Sequence, residues 1–108
     1  MWVVTTQGFY SAVAHRDEPD EVIVRARTRD DIEALRRQIP SIEPFEDESA
    51  DYRHRAVVGR AEWVVALALL ADAIDYDNFK DEVAAVQGPA RASIYSQVWG
   101  VLRRLQAR

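Results

Sequence analysis

Trp2-Val3-Val4-Thr5-Thr6 and Phe9-Tyr10-Ser11-Ala12-Val13-Ala14-His15 are two β-branched and aromatic runs separated by Gln7-Gly8. Such a pair predicts a tight hairpin, with Gly8 supplying a positive φ at the turn. Asp17-Glu18-Pro19-Asp20 reads as the next turn. Glu21-Val22-Ile23-Val24-Arg25-Ala26-Arg27 then alternates over its second half, which gives a third strand and an antiparallel meander.

Working outward, Thr28-Arg29-Asp30-Asp31 offers an N-cap hydroxyl and first-turn carboxylates, and Ile32, Leu35 and Ile39 follow at i, i+3, i+7. This predicts a helix closed by Pro40. Residues 40–51 are acidic and irregular, with a short strand around Ile42 to Phe45, and Tyr52 to Val58 alternates like a further strand ended by Gly59. Trp63, Leu67, Leu70 and Ile74, widened by Val64 and Ala71, make the stripe of a buried helix. Asp75 or Asp77 is expected to cap another helix carrying Phe79, Val83 and Val86, ended by Gly88-Pro89. The last helix runs from Pro89 to about Gln106, with Ile94, Val98, Val101 and Leu105 as its expected buried stripe and Tyr95, Trp99 and Leu102 beside it. Phe79, Trp63 and Trp99 are expected to share a core. The fold class is α+β: a mainly antiparallel sheet of about four strands in the order ββ-β-α-β, covered on one face by helices, then a C-terminal three-helix segment. Residues 1–108 are read as a single domain.

The chain has 108 residues, 48% hydrophobic and 30% charged, with a formal net charge of -4. That length buries enough surface for a core without disulfides or metal. With no cysteine, there are no disulfides, thiolate nucleophiles, zinc ribbons or Fe–S ligands. No signal-like or membrane-spanning apolar run is present, so a cytoplasmic protein with no membrane partner is expected. The acids concentrate in residues 17–21 and 43–51, two loops containing Pro19 and Pro44. An acidic total disfavours non-specific nucleic-acid binding but leaves room for a local basic face.

Catalytic and cofactor motifs fail one by one. His15 and His54 have neither H-x-H nor H-x-x-x-H spacing, so no metal is expected. Asp75-x-Asp77 lacks the central Gly and final Glu of a calcium loop. None of the serines lies in G-x-S-x-G, and all four glycines are isolated, which excludes phosphate-cradling loops; no cofactor is expected. An acid-x-Lys nuclease pair would need an acid where Asn78 stands, and a small ferredoxin-like nuclease would need an Asp where Thr5 and Thr6 stand. A hydrolase using His54 with nearby carboxylates has the least support.

Two groups remain as binding candidates. Arg25 and Arg27 share a strand face, as do Arg53 and Arg55, because side chains repeat every two residues. The opposite parity, Val22, Val24, Ala26, Ala56 and Val58, is apolar and should meet the helices. The arginines, with aromatics among Trp2, Phe9 and Tyr10, could then bind phosphate or stack single-stranded bases. The commoner arrangement is a solvated face whose arginines pair with the acidic loop at 43–51. The second group is Asp75, Tyr76, Asp77, Asn78 and Lys80, whose ordinary role would be capping and anchoring a helix junction.

Met1-Trp2 with Thr5-Thr6-Gln7-Gly8-Phe9-Tyr10-Ser11, Asp51-Tyr52 with Arg55, Ile74-Asp75-Tyr76-Asp77-Asn78-Phe79-Lys80, and Tyr95 with Val98-Trp99 together resemble a family of short uncharacterised proteins of bacteria, notably actinobacteria, and of phages. The preference for Arg over Lys, with abundant Ala and Val, agrees with a GC-rich bacterial or phage genome. The resemblance spans the chain and implies no activity. The chain departs from it at Gly59, Arg53-His54 and Ser93, where Ser, Pro-Tyr and His are usual.

The expected function is therefore that of a small non-enzymatic binding or interaction module. Its partner is a protein or a second copy, joined through an uncovered sheet face or edge. The alternative is a module binding single-stranded nucleic acid or phosphate through Arg25, Arg27, Arg53 and Arg55.

Overall fold

The computed structural model describes residues 1–106 and divides the chain into two compact units, Met1–Ile74 and Asp75–Arg108. The first unit contains β1 (Trp2–Val4), β2 (Phe9–Ala14), β3 (Glu21–Ala26), α1 (Arg29–Gln38), β4 (Phe45–Glu46), β5 (His54–Gly59) and α2 (Arg60–Asp72). The five strands form one antiparallel sheet in the order β1-β2-β3-β5-β4, with α1 and α2 on one face. The fold is α+β, as the sequence reading has it, and the short strand expected around Ile42 to Phe45 stands at Phe45–Glu46.

Alternation along the central strands produces the two faces. Val22, Val24 and Ala26 on β3 and Ala56 and Val58 on β5 are buried with Ile32 and Leu35 of α1, Ile39 just past its end, and Trp63 and Ala66 of α2. Trp63 meets Tyr10 edge-on, with ring centroids 6.4 Å apart. Thr28 caps α1 by accepting the Asp31 N–H through Oγ1, at 3.2 Å.

The hairpin turn differs from expectation. Gly88, at φ 99°, has the only positive φ among the described residues, so Gly8 does not use one. The turn is organised by Thr5, whose Oγ1 donates to the Gly8 carbonyl at 2.8 Å and accepts the Gln7 and Gly8 N–H groups. Glycine is needed at position 8 for closeness: a Cβ there would stand 2.8 Å from Tyr10 Oη and 3.1 Å from Asp31 Cγ.

The second unit comprises α3 (Phe79–Gln87), α4 (Pro89–Leu102) and a 3₁₀ turn (Arg103–Leu105). Gly88 separates the two helices, and Pro89 opens α4 at a position where its missing N–H costs nothing. Val83, Ala92 and Tyr95 are the buried residues of α3 and α4. The stripe expected to be buried on α4 is exposed, from Val98 at 41% to Leu105 at 87%. A helix apolar on all sides carries no phase to say which side is covered. Trp63, expected in one core with Phe79 and Trp99, belongs to the first unit's core, while Phe79 stacks on Tyr95 and Trp99 is 66% exposed.

Candidate binding surfaces

The sheet face away from α1 and α2 carries one cross-strand row: Trp2, Ser11, Arg25, Arg55 and Phe45 are successive register partners over β1, β2, β3, β5 and β4. Trp2 is 74% exposed, and Phe45 is exposed at the other end. Tyr52, just before β5, folds over this face and is 4% exposed beneath two guanidinium groups, with Arg25 at 4.7 Å and Arg27 at 4.0 Å from its ring centroid. Phe9 lies against Tyr52 at 6.3 Å and meets Trp2 edge-on at 6.1 Å.

The four arginines behave differently. Arg53 pairs with Glu46 at 3.2 Å and Glu48 at 2.8 Å, the arrangement expected of a solvated face beside an acidic loop. Among the described residues Arg25, Arg27 and Arg55 have no carboxylate oxygen within 4.0 Å. Arg25 Nη2 donates to Ser11 Oγ at 2.6 Å, Arg27 Nη1 to the Asp51 carbonyl at 2.7 Å, and Arg55 Nε to the Tyr52 carbonyl at 3.1 Å. Arg25 Nε is buried without a hydrogen-bond partner. The Ser49 hydroxyl and N–H hold the Asp47 carboxyl below the usual carboxylate range, with a smaller contribution from the Arg55 charge.

Both histidines have structural contacts. His15 lies just past β2 and accepts the Asp17 and Glu18 N–H groups at its Nδ1, each at 3.1 Å. His54 is buried with Nδ1 3.7 Å from Glu46 Oε1. The adjoining cavity of about 300 Å³ has Arg29, Glu33 and Phe45 among its walls. Asp31, 2% exposed, was legible in sequence only as part of a cap; its carboxylate also accepts the Phe9 N–H at 3.1 Å.

In the second unit the Asp75–Lys80 segment separates into parts. Asn78, rather than Asp75 or Asp77, caps α3, its Oδ1 accepting the Asp81 N–H at 2.9 Å. Asp77, Asn78 and Lys80 line a cavity of about 440 Å³ with Phe79, Tyr95 and Trp99. Phe79 stacks on Tyr95 with ring centroids 6.0 Å apart and the rings 6° from parallel, and the Tyr76 ring lies tilted by 47° to Phe79 with centroids 6.2 Å apart. Asp75 is exposed and takes no part in the cavity wall.

Apolar helix faces form a further surface. On α2, Val64, Val65 and Leu69 are exposed, and Val65 and Leu69 form one wall of a groove of about 530 Å³ that Ile39 and Pro40 close on the α1 side. On α4 and the turn after it, Ile94, Val98, Val101 and Leu105 stand exposed at i, i+4, i+7, i+11. No helix is long and apolar enough to cross a membrane among the described residues. No protein-family model matches the chain, and no curated protein or solved structure is significantly similar to it.

Proposed function

We propose that this chain is a non-catalytic macromolecular interaction module that associates with a second copy of itself, the α4 stripe of one copy seating in the α1–α2 groove of the other. The observation that carries this is the continuous exposed apolar line Ile94, Val98, Val101 and Leu105. Isolated surface hydrophobics need no explanation, but contiguous apolar patches on a domain of this size mark association. A unit of two helices, burying only Val83, Ala92 and Tyr95 on them, is also below the size at which a core sustains itself without help from a partner.

The groove has the complementary form. Its floor and wall offer Ile39, Val65, Ala66 and Leu69, an apolar setting into which an apolar helix side can lie. This reading uses helix surfaces where the sequence pointed to an uncovered sheet face or edge. Size-exclusion chromatography with light scattering at tens of micromolar tests the reading: twice the chain mass is expected, and a strictly monomeric mass would overturn it.

A further inference from the structure

We infer that the open sheet face is a binding site for single-stranded nucleic acid, with Arg25, Arg27 and Arg55 taking phosphates and Trp2 and Phe45 stacking bases. This site is separate from the helix surfaces and does not depend on self-association.

Arg25 and Arg55 are direct register partners in the β3–β5 ladder. Like charges directly opposite one another destabilise a sheet, so such a pair normally recruits a carboxylate. Among the described residues no carboxylate oxygen lies within 4.0 Å of either: Glu46 contacts Arg53, Arg29 and His54, Glu48 contacts Arg53, and Asp47 acts on Arg55 only through its charge at longer range. Arg25 and Arg55 are left with neutral acceptors, and Arg25 keeps a buried Nε unpartnered. Two arginines on neighbouring strands, neither held in a direct ion pair, offer donors suited to phosphodiester oxygens. Arg27, its Cζ 4.0 Å from the Tyr52 ring centroid, adds a third cation supported by the ring.

The ring positions select nucleic acid over a free anion. Trp2 and Phe45 end the row whose middle is the arginine pair, and four strand steps of about 4.8 Å put them some 19 Å apart. Both rings are exposed, and aromatic faces flanking a basic centre are what sequence-tolerant single-strand binding uses. Duplex DNA does not fit a face of this kind, because its bases are already stacked and its grooves would meet a broad sheet. The net charge of -4 sits largely in the loops at 17–21 and 43–51, so binding is expected to be modest and strongly salt-dependent.

The test is fluorescence anisotropy of a labelled oligouridylate and a matching oligothymidylate with the full chain. Binding at low salt is expected, with a log–log salt slope near about −2, the value for three phosphate contacts on a single strand. Arg25→Gln and Arg55→Gln should each weaken binding about tenfold or more, Trp2→Ala and Phe45→Ala roughly tenfold, and Arg53→Gln should leave it unchanged. Absence of binding at low salt would overturn the inference. So would binding that survives both Trp2→Ala and Phe45→Ala, two exposed positions whose replacement spares the core even if Arg25→Gln unfolds the sheet. Tighter binding of a polyglutamate peptide than of either oligonucleotide would assign the face to an acidic protein instead and would equally overturn it.

Discussion

Tyr10 Oη donates to the Asp31 carbonyl at 2.8 Å, tying the second strand to the first turn of α1 across the buried side of the sheet. Asp31 returns the contact through its carboxylate, which accepts the Phe9 N–H. Loss of that carboxylate leaves a part-buried backbone donor without its acceptor, so Asp31→Ala should destabilise by about 1–3 kcal/mol. Asp31→Asn, which keeps an acceptor oxygen, should cost less. Urea denaturation of the two variants checks the order, and equal midpoints would show that the carboxylate does not tether β2.

Gly8→Ala introduces a Cβ into the same junction, 2.8 Å from Tyr10 Oη. Overpacking of this kind costs roughly 1–3 kcal/mol. Tyr10→Phe removes the colliding oxygen, so Gly8→Ala made in that background should be milder than in the natural chain. A double-mutant cycle by thermal denaturation reads the coupling directly.

Capping of α3 resides in Asn78. Asn78→Ala should therefore lose about 1 kcal/mol, Asn78→Asp should be nearly neutral, and Asp75→Ala and Asp77→Ala should each stay within about 0.5 kcal/mol. Helix signal by circular dichroism against temperature distinguishes them; a larger loss for Asp77→Ala than for Asn78→Ala would reassign the cap.

Trp63 is 4% exposed, whereas Phe79 is half-buried and stacked on Tyr95. Trp63→Ala should cost on the order of 3–5 kcal/mol. Phe79→Ala should cost less, roughly 1–2 kcal/mol, since it forfeits one aromatic pair and partial burial. Chemical denaturation monitored at the remaining tryptophans gives both values.

Self-association through α4 and α2 makes Val98→Asp and Leu69→Asp informative. Both positions are exposed in the single chain, so neither change should unfold it, yet each should convert the dimer to monomer by light scattering.

The Asp47 carboxyl is held below its ordinary range chiefly by the Ser49 hydroxyl. A carboxyl whose pKa is lowered by folding adds stability above its ordinary pKa, and that stability disappears as pH falls through the lowered value. Ser49→Ala should move the Asp47 titration midpoint upward, toward the ordinary carboxylate value, in an NMR pH titration.

The sequence alone determined the parts of this protein that have a phase. Strands repeat every two residues, so Val22, Val24 and Ala26 against Arg25 already separated a core face from an open one, and Ile32, Leu35 and Ile39 did the same for α1. It also marked Gly88-Pro89 as the break between the last helices. Tertiary structure decided what has no local signal. The stripes read on α2 and α4 had apolar residues on the other sides as well, so only packing decided which side is covered, and it left Leu69, Ile74 and Val98 outside. Parity placed Arg25 and Arg55 on a face, but long-range register set them opposite each other, and the path of residues 46–53 gave the available glutamates to Arg53 instead. The choice of Asn78 over Asp75 and Asp77 as cap, and the closeness that demands Gly8, likewise depend on where a chain meets itself, which no periodicity encodes.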